Sequence, residues 1–444
     1  MIAIPILRVC RTPEYPAFDT TPNATNLETI MSTTKQDLID RIDEDRDLLI
    51  AFFQEFVRCR TPNPPGDTIE AAAFVRRFLD DRKLGYEVIA PNEAMPNVVA
   101  TFDCGLPGRH LALNGHIDVF PVEDTVGWTQ DPWGGALVDG KIYGRGSADM
   151  KCGTTASIFT YAYLSPIREQ LKGRLSLVMV SDEETFGPWG ARYLSEHRPE
   201  LFGDCCLNGE PSGMGTIRFG EKGPLWLEFQ VRTLGAHGAY THMSKSANKI
   251  ANEIINDLAS IAQMPVPQLG NLESLITSAS IVIDKEFGEG AAAIIRKVTV
   301  NPGLMTGGVK VNMVAAECTF QVDVRIPNGL TKDDILPQID AILCRYPEAT
   351  YKILLHEAPA WTPPDAEMMN YVRDNARRVS DIEPVPVISL GATDARLWRY
   401  KDLPAITYGP APRGMGSVDE HVPVEEFLHV VKCHVLSAFD YLSA

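Results

Sequence analysis

The sequence predicts an α/β fold whose largely parallel central sheet is interrupted by an α+β segment. Two apolar runs, at 111–113 and 174–180, are nearly continuous, which is typical of strands buried on both faces of a sheet. From Gly223 onward, strand-like stretches instead alternate apolar and polar residues, as in a sheet with one covered face. The length of 444 residues exceeds what one hydrophobic core usually supports, so we expect two domains.

The first 220 residues alternate between helical and strand patterns. Ser32, Thr33 and Thr34 form a capping region before the first helix, and the proline-rich stretch 61–66 ends that helix. The elements predicted in this part are helices over 36–58, 68–79 and 154–164 and strands at 88–89, 97–102, 111–113, 174–180 and 205–207. We therefore expect a parallel sheet covered by helices.

The following segment, 221–358, has the β-α-β-β-α-β order of the ferredoxin-like plan. Its predicted elements are strands at 225–233, 296–300, 311–325 and 351–356 and helices over 246–262 and 332–344. The α/β pattern then resumes with a helix over 366–378, strands at 385–390 and 405–408 and a helix from Val424. We expect one domain over 35–220 and 359–444, an inserted domain over 221–358, and a disordered leader over 1–34 in which Met31 is a second candidate start.

Charge and composition argue against several functional classes. The net charge of -17 argues against nucleic-acid binding and against adhesion to an anionic membrane. No apolar stretch approaches the roughly 18 residues needed to span a bilayer. The nine cysteines have neither metal-finger spacing nor a disulfide pattern, which favours a reducing, cytoplasmic compartment.

Side chains that can bind metals follow several of the predicted strands. His116 and Asp118 come directly after the strand at 111–113, and Asp149 follows three glycines that allow close backbone approach. Similar groups are Glu183 and Glu184 after 174–180, Glu210 after 205–207, and His421 before the last helix. Strand ends at one edge of an α/β sheet often carry the chemistry, and imidazole with carboxylate is the ligand set of zinc or a similar cation. Several such groups at one edge indicate two metals.

The motifs in this order resemble the M20 peptidase family of zinc aminoacylases and carboxypeptidases, which includes acetylornithine deacetylase, succinyl-diaminopimelate desuccinylase and glutamate carboxypeptidase. The resemblance covers about residues 35–440. The motifs are Gly115-His-Ile-Asp118, Gly146-Ser-Ala-Asp-Met-Lys151, Asp182-Glu-Glu184, Glu210-Pro-Ser212 and Glu420-His421. The resemblance implies a zinc-peptidase-like catalytic domain interrupted by a lid and dimerisation domain, and a homodimer formed through that lid.

The resemblance also implies two zinc ions, for which cobalt or manganese could substitute. Asp149 would bridge them, His116 and Glu210 would complete one site, and Glu184 and His421 would complete the other. A bridging hydroxide would then be the nucleophile. Asp118 would fix the tautomer of His116 by accepting a hydrogen bond from its other ring nitrogen.

The same resemblance implies roles for further residues. Glu183 would be the general base, and His237 would hydrogen-bond the oxyanion, in dimeric relatives from the partner subunit. Residues matched to substrate-binding positions are Arg325, Asn312, Gly391 and Thr393. Arg325 has a competing interpretation: it could pair with a neighbouring acid instead of binding substrate, as an arginine on a sheet face usually does.

The implied activity is hydrolysis of the amide bond of an N-acyl amino acid or a related small amide. The alternative is a metallo-exopeptidase acting on short peptides, which would use the same catalytic residues, so the motifs leave both open. A non-catalytic binding protein on the same fold is a third interpretation. It is disfavoured because each ligand position and the base are present.

Overall fold

The computed structural model describes residues 32–444, so the leader expected over 1–34 falls almost entirely outside the described residues. Thr34 caps the first helix by accepting a hydrogen bond from the backbone N–H of Asp37. The helices of the described chain are α1 (Lys35–Glu44), α2 (Arg46–Arg58), α3 (Ile69–Asp81), α4 (Cys152–Leu164), α5 (Ala191–His197), α6 (Ala247–Leu258), α7 (Asn271–Phe287), α8 (Ala291–Ile295), α9 (Lys332–Leu343), α10 (Glu367–Ser380), α11 (Ala395–Arg399) and α12 (Val424–Ser443).

The strands are β1 (Glu87–Ile89), β2 (Asn97–Asp103), β3 (Leu106–His116), β4 (Ala136–Val138), β5 (Lys141–Tyr143), β6 (Lys172–Val180), β7 (Cys205–Asn208), β8 (Thr216–Glu221), β9 (Gly223–Arg232), β10 (Ala236–His237), β11 (Thr299–Gly307), β12 (Met313–Val314), β13 (Glu317–Ile326), β14 (Ala349–His356), β15 (Ala360–Trp361), β16 (Val385–Ser389), β17 (Ala405–Thr407) and β18 (His421–Pro423). Among residues 32–444, no helix combines the length and the apolar character that crossing a membrane would need.

A nine-stranded sheet forms the centre of the molecule, in the order β1-β2-β6-β3-β7-β17-β8-β15 with β16 on β8. Its middle strands β6, β3, β7 and β17 are parallel, and antiparallel pairs lie toward its edges. The predicted α/β fold with a largely parallel sheet is therefore confirmed. Helices α4 and α12 belong to the large core on one face, and α5 and α11 pack on the other face.

A smaller four-stranded antiparallel sheet has the order β11-β13-β9-β14, and with α6 and α9 it follows the β-α-β-β-α-β plan. Alternate residues of β9 and β13 are buried, as the apolar alternation predicts. The predicted strand over 311–325 is wrong at its start, because the chain there forms the two-residue strand β12 before β13 begins at Glu317. Likewise the predicted helix over 36–58 is interrupted at Asp45.

Helix α7 lies between β9 and β11 in sequence but packs against the larger sheet. Its buried residues Leu272, Ile276, Ala279 and Ile283 belong to the same hydrophobic core as α4 and α12. The long connection 264–295 therefore joins the two sheets. Sequence patterns do not reveal this, because an apolar helical face does not show which sheet it covers.

Gly153 allows helix α4 to approach the loop that carries Glu210. A Cβ atom at Gly153 would lie 1.9 Å from the carbonyl oxygen of Gly209. We expect Gly153→Ala to destabilise the protein by about 1–3 kcal/mol through overpacking. Denaturant unfolding should show this loss, and Gly85→Ala is the matched control because no atom lies within 4 Å of the added methyl group. Equal stabilities of the two variants would contradict the prediction.

Candidate metal centre

The carboxyl ends of the central parallel strands carry the predicted metal-binding residues. His116 ends β3, and Val180 is its register partner at the end of β6. Asn208 ends β7 beside Asn114 of β3. Since these strands are parallel, Glu183, Glu184 and Glu210 emerge at the same edge of the sheet as His116.

His116 lies at the centre of a buried group of carboxylates. Its Nε2 atom is 3.1 Å from Asp149 Oδ1 and 3.2 Å from Glu210 Oε1, and 4.0 Å from Glu183 Oε2. Its Nδ1 atom donates to the backbone carbonyl of Asp118 at 2.9 Å. That bond fixes the tautomer, so in the neutral ring the lone pair of Nε2 faces the carboxylates.

Two sets of donor atoms are close enough together to hold a cation each. One set is His116, Glu183 and Glu210, and the other is His116, Asp149 and Glu184, with all atoms of a set within 4.8 Å of one another. His116 is common to both sets, whereas the sequence interpretation gave the shared position to Asp149. The donor sets are nitrogen and carboxylate oxygen, which suits zinc or a similar divalent ion.

The electrostatics of the group favour a bound cation. Burial raises the pKa values of Glu183 and Glu184, and Asp149 adds to the effect on Glu184. Burial together with Asp149 raises the pKa of Glu210 to about 7. Within residues 32–444, the buried Oε1 atoms of Glu183 and Glu184 have no hydrogen-bond partner. Because buried carboxylates normally pair or coordinate metals, these residues fit a dinuclear cation site.

Asp118 supports the group by a different contact from the one expected. Its carboxylate Oδ1 is 3.6 Å from His116 Nδ1, while its backbone carbonyl makes the hydrogen bond. The carboxylate instead accepts the backbone N–H groups of Glu183 and Glu184 at 3.3 and 3.1 Å. Asn63 bridges it to Asp182, donating at 2.9 and 3.0 Å. Asp118 therefore positions the loop that carries Glu183 and Glu184, here called the glutamate loop, as well as the imidazole.

His421 begins β18, which pairs with β5 in a separate three-stranded sheet, and it lies outside both donor sets found in residues 32–444. Its Nδ1 donates to the Asp419 carbonyl at 2.8 Å, which again leaves Nε2 as the acceptor. The preceding residue, Glu420, accepts the backbone N–H of Asp149 at 3.1 Å and pairs with buried Arg145 at 2.6 Å. The residue before His421 is thus hydrogen-bonded to the backbone of Asp149.

Sequence reasoning missed Arg396, which contacts the predicted base. Its guanidinium is fully buried, with Nη1 3.8 Å from Glu183 Oε1 and Nε 3.2 Å from Glu357 Oε2. Its Cζ lies 4.7 Å from the centre of the Phe186 ring, whose edge contacts Trp226 of β9. Arg396 therefore links Glu183 to Glu357, where the chain leaves the smaller sheet. The sequence held a signal, an arginine two residues after the Gly391–Asp394 loop, but it did not reveal the partner of that arginine.

His237 lies on the small ribbon formed by β10 and β12, and Asn312 directly precedes β12. Gly238 donates to the Asn312 carbonyl at 2.8 Å, and His237 pairs with Met313 across the ribbon. His237 Nδ1 accepts the backbone N–H of Ala239 at 3.2 Å, so its neutral ring carries the hydrogen on Nε2. The ring is exposed, and no hydrogen bond or ion pair within the described chain joins it to the carboxylate group.

The other predicted substrate-binding residues have internal partners. Arg325 Nε pairs with Asp323 at 2.9 Å, as the competing interpretation expects. The hydroxyl of Thr393 donates to the buried carboxylate of Glu221 at 3.0 Å, and Arg399 pairs with the same carboxylate at 2.7 Å. The Gly391 N–H donates to Ser389 Oγ at 3.2 Å.

The chain is similar to several known proteins in sequence and in fold. The model of peptidase family M20/M25/M40 matches residues 112–439. Succinyl-diaminopimelate desuccinylase 2 of Ruegeria sp. is 26% identical over 385 residues, covering 84% of this chain and 89% of the relative. The di-peptidase Dug1p of Saccharomyces cerevisiae matches the structure with a TM-score of 0.78 at 13% identity, over 93% of this chain and 100% of that chain. The YXEP protein of Bacillus subtilis, a dinuclear metal-binding peptidase, matches with a TM-score of 0.59 at 16% identity, over 90% and 99%.

Proposed function

Because the chain belongs to peptidase family M20/M25/M40, it is a metal-dependent hydrolase, and we propose that it cleaves the amide bond of an N-acyl amino acid or a related small amide. The observation that carries the proposal is the group of buried His116 and four buried or half-buried carboxylates at one edge of the sheet. Relatives named desuccinylases that align over most of both chains favour an acyl amide over a peptide.

The residues that would hold two cations are His116, Asp149, Glu184, Glu210 and His421. We propose zinc, with cobalt or manganese as substitutes, because nitrogen and carboxylate donors suit these ions. When bound, two such cations activate water for attack and polarise the carbonyl of the amide.

Glu183 is the proposed general base. Its carboxylate is buried 4.0 Å from His116 Nε2, and its free Oε1 atom is held 3.8 Å from Arg396. In this position it can accept a proton from the attacking water and deliver it to the leaving amine. Asp118 supports this role by holding the backbone of the same loop.

His237 is the proposed oxyanion donor, on an inserted segment that acts as a lid and dimer interface. The hydrogen on Nε2 is free to point at a developing oxyanion, because Nδ1 already accepts from Ala239. We expect His237→Ala to lower kcat by about 10²-fold, the usual cost of one such donor. Steady-state kinetics on metal-loaded protein would measure the loss.

A subunit-mixing experiment tests whether the histidine comes from the partner subunit. Mixing His237→Ala with Glu183→Gln should restore about a quarter of the activity, because half of the dimers are mixed and each has one complete site. A monomer mass by light scattering would contradict the dimer. No recovery after subunit exchange would contradict a histidine supplied by the partner subunit.

The test of the function is hydrolysis of N-acetyl, N-formyl, N-succinyl and N-carbamoyl amino acids alongside dipeptides. Metal-free protein would be reconstituted with zinc, cobalt or manganese. We expect metal-dependent release of amine from at least one acyl class. Activity confined to dipeptides would indicate an exopeptidase, and tight binding without turnover would indicate a binding protein.

The free cysteines of the described chain support a reducing compartment, and we propose the cytoplasm.

A further inference from the structure

We propose that Arg218, with Thr407 beside it, forms a subsite for a substrate carboxylate. This inference rests on the proposed amide hydrolysis and names the substrate class, an acyl amino acid with a free carboxylate near the scissile amide. Arg218 was absent from the sequence interpretation because strand β8 was not predicted.

Register places Arg218 at the end of a polar row that crosses the sheet. Asn114 of β3 is opposite Asn208 of β7, Asn208 is opposite Thr407 of β17, and Thr407 is opposite Arg218 of β8. Directly opposed residues project from the same face of a sheet, and so do residues two apart on one strand. His116, two residues after Asn114, therefore shares that face with Arg218.

The row also reaches the metal centre through hydrogen bonds. Asn208 donates to the side chain of Asn114 at 2.8 Å and accepts the backbone N–H of Glu210 at 2.9 Å. Neighbouring strands are about 4.8 Å apart, so the backbone of Arg218 lies on the order of 10 Å from that of Asn208. A long side chain can bridge much of this distance, which is the scale of a small amide substrate.

Arg218 is buried without a hydrogen-bond or ion-pair partner among the described residues. It is 7% exposed, and within residues 32–444 neither a hydrogen bond nor an ion pair reaches its guanidinium. The hydroxyl of the opposed Thr407 is likewise buried without a partner in this part of the chain. Phe287 covers the guanidinium, with its ring centre 5.1 Å from Cζ.

Other buried arginines near the site differ in this respect. Arg145 pairs with Glu420, Arg396 with Glu357, and Arg399 with Glu221. Burial lowers the pKa of Arg218, and the carboxylates of Glu210, Asp149 and Glu221 oppose that shift. A buried cation without a partner is costly, and a planar guanidinium matches a carboxylate in a bidentate geometry.

The carboxylate could come from two parts of a substrate. It could be the α-carboxylate of the amino acid, or the terminal carboxylate of a dicarboxylic acyl group. N-acetyl amino acids compared with their carboxamides test the first source. N-succinyl amino acid amides compared with N-acetyl amino acid amides test the second.

The experiment compares each acid with its neutral counterpart in wild type, Arg218→Met and Arg218→Lys, all loaded with zinc. We expect Arg218→Met to lower the ratio of kcat/KM between acid and neutral substrate by about 10²-fold, because a charged partner is lost. Arg218→Lys should retain part of the ratio. Equal losses for both members of every pair would show that Arg218 merely balances Glu210, and would overturn the proposal.

Binding to a non-hydrolysing variant separates this inference from the proposed function. Calorimetric titration of zinc-loaded Glu183→Gln with the same pairs should show at least tenfold tighter binding of one acid. Arg218→Met in that background should abolish the preference while metal content is unchanged. If Arg218→Met does not fold, Thr407→Val should still weaken the preference several-fold. Absence of any acid preference in Glu183→Gln would overturn the subsite, whereas preference without wild-type turnover would overturn only the hydrolysis.

Discussion

Replacing Glu183 with Gln is expected to lower kcat by about 10³-fold while metal content stays near two ions per chain. The amide keeps the shape of the side chain but cannot accept the proton of the attacking water. Glu183 is buried at 7% exposure, and its Oε1 atom, 3.8 Å from Arg396 Nη1, accepts no hydrogen bond within residues 32–444, so this atom can accept the proton. Steady-state kinetics and elemental analysis of the same sample measure the two quantities.

The adjacent residue provides the sharpest comparison. Glu183 and Glu184 each lie in one of the two donor sets, and we propose that only Glu184 holds a cation. Glu184→Gln should therefore lose metal along with activity, whereas Glu183→Gln should keep its metal. The exposed Glu425, which pairs with Arg46 on the surface, is the neutral control. If Glu183→Gln retains most of its activity, or loses metal as Glu184→Gln does, then Glu183 is not the base.

The position of Glu183 and Glu184 at the metal-binding edge of the sheet could be predicted from the sequence. The apolar runs before His116, Glu183 and Glu210 predicted parallel strands, and parallel strands bring their carboxyl ends to one edge. The order of the motifs then indicated chemistry at that edge. Both inferences depend on local pattern and on the periodicity of buried strands, which a sequence displays directly.

Contacts between distant segments could not be predicted in this way. Asn63 lies in a proline-rich loop that resembles a helix terminator, yet it bridges Asp118 and Asp182. Arg396 reaches Glu183 only because α11 packs against the glutamate loop from another part of the chain. A motif identifies Asp118 as a partner of His116, but it does not show whether the backbone carbonyl or the carboxylate of Asp118 accepts the hydrogen bond. Arg218 lies on the same face of the sheet as His116 because of the register between β17 and β8, and strand register cannot be read from the sequence.

Removing the metals with a chelator is expected to destabilise the protein, and the loss should grow as the pH rises from about 5 to 8. Without a cation, His116 faces several buried carboxylates, and burial with Asp149 raises the pKa of Glu210 to about 7. Burial also raises the pKa values of Glu183 and Glu184, as it does that of Glu210. The folded metal-free chain therefore binds protons that the unfolded chain releases near its ordinary carboxyl pKa.

Proton linkage gives the direction in which the stability of the metal-free protein changes with pH. A carboxyl whose folded pKa lies above its unfolded pKa gives stability that is complete below about 4.5 and is lost as the pH passes through the folded value near 7. The loss is on the order of a few kcal/mol for such a group. A bound cation replaces the protons, so the stability of the metal-loaded protein should not fall in this way as the pH rises. At low pH, protons should compete with the metal for the carboxylates.

Melting temperatures of chelated and zinc-loaded protein at pH 5, 6, 7 and 8 would measure this difference, which should widen with pH. Glu210→Gln is the informative control, because an amide in place of the carboxylate removes one group that must be protonated. Chelated Glu210→Gln should therefore lose less stability between pH 5 and 8 than the chelated wild type. A gap between chelated and loaded protein that is constant or narrows with pH would show that the carboxylates around His116 are neutralised by something other than a metal.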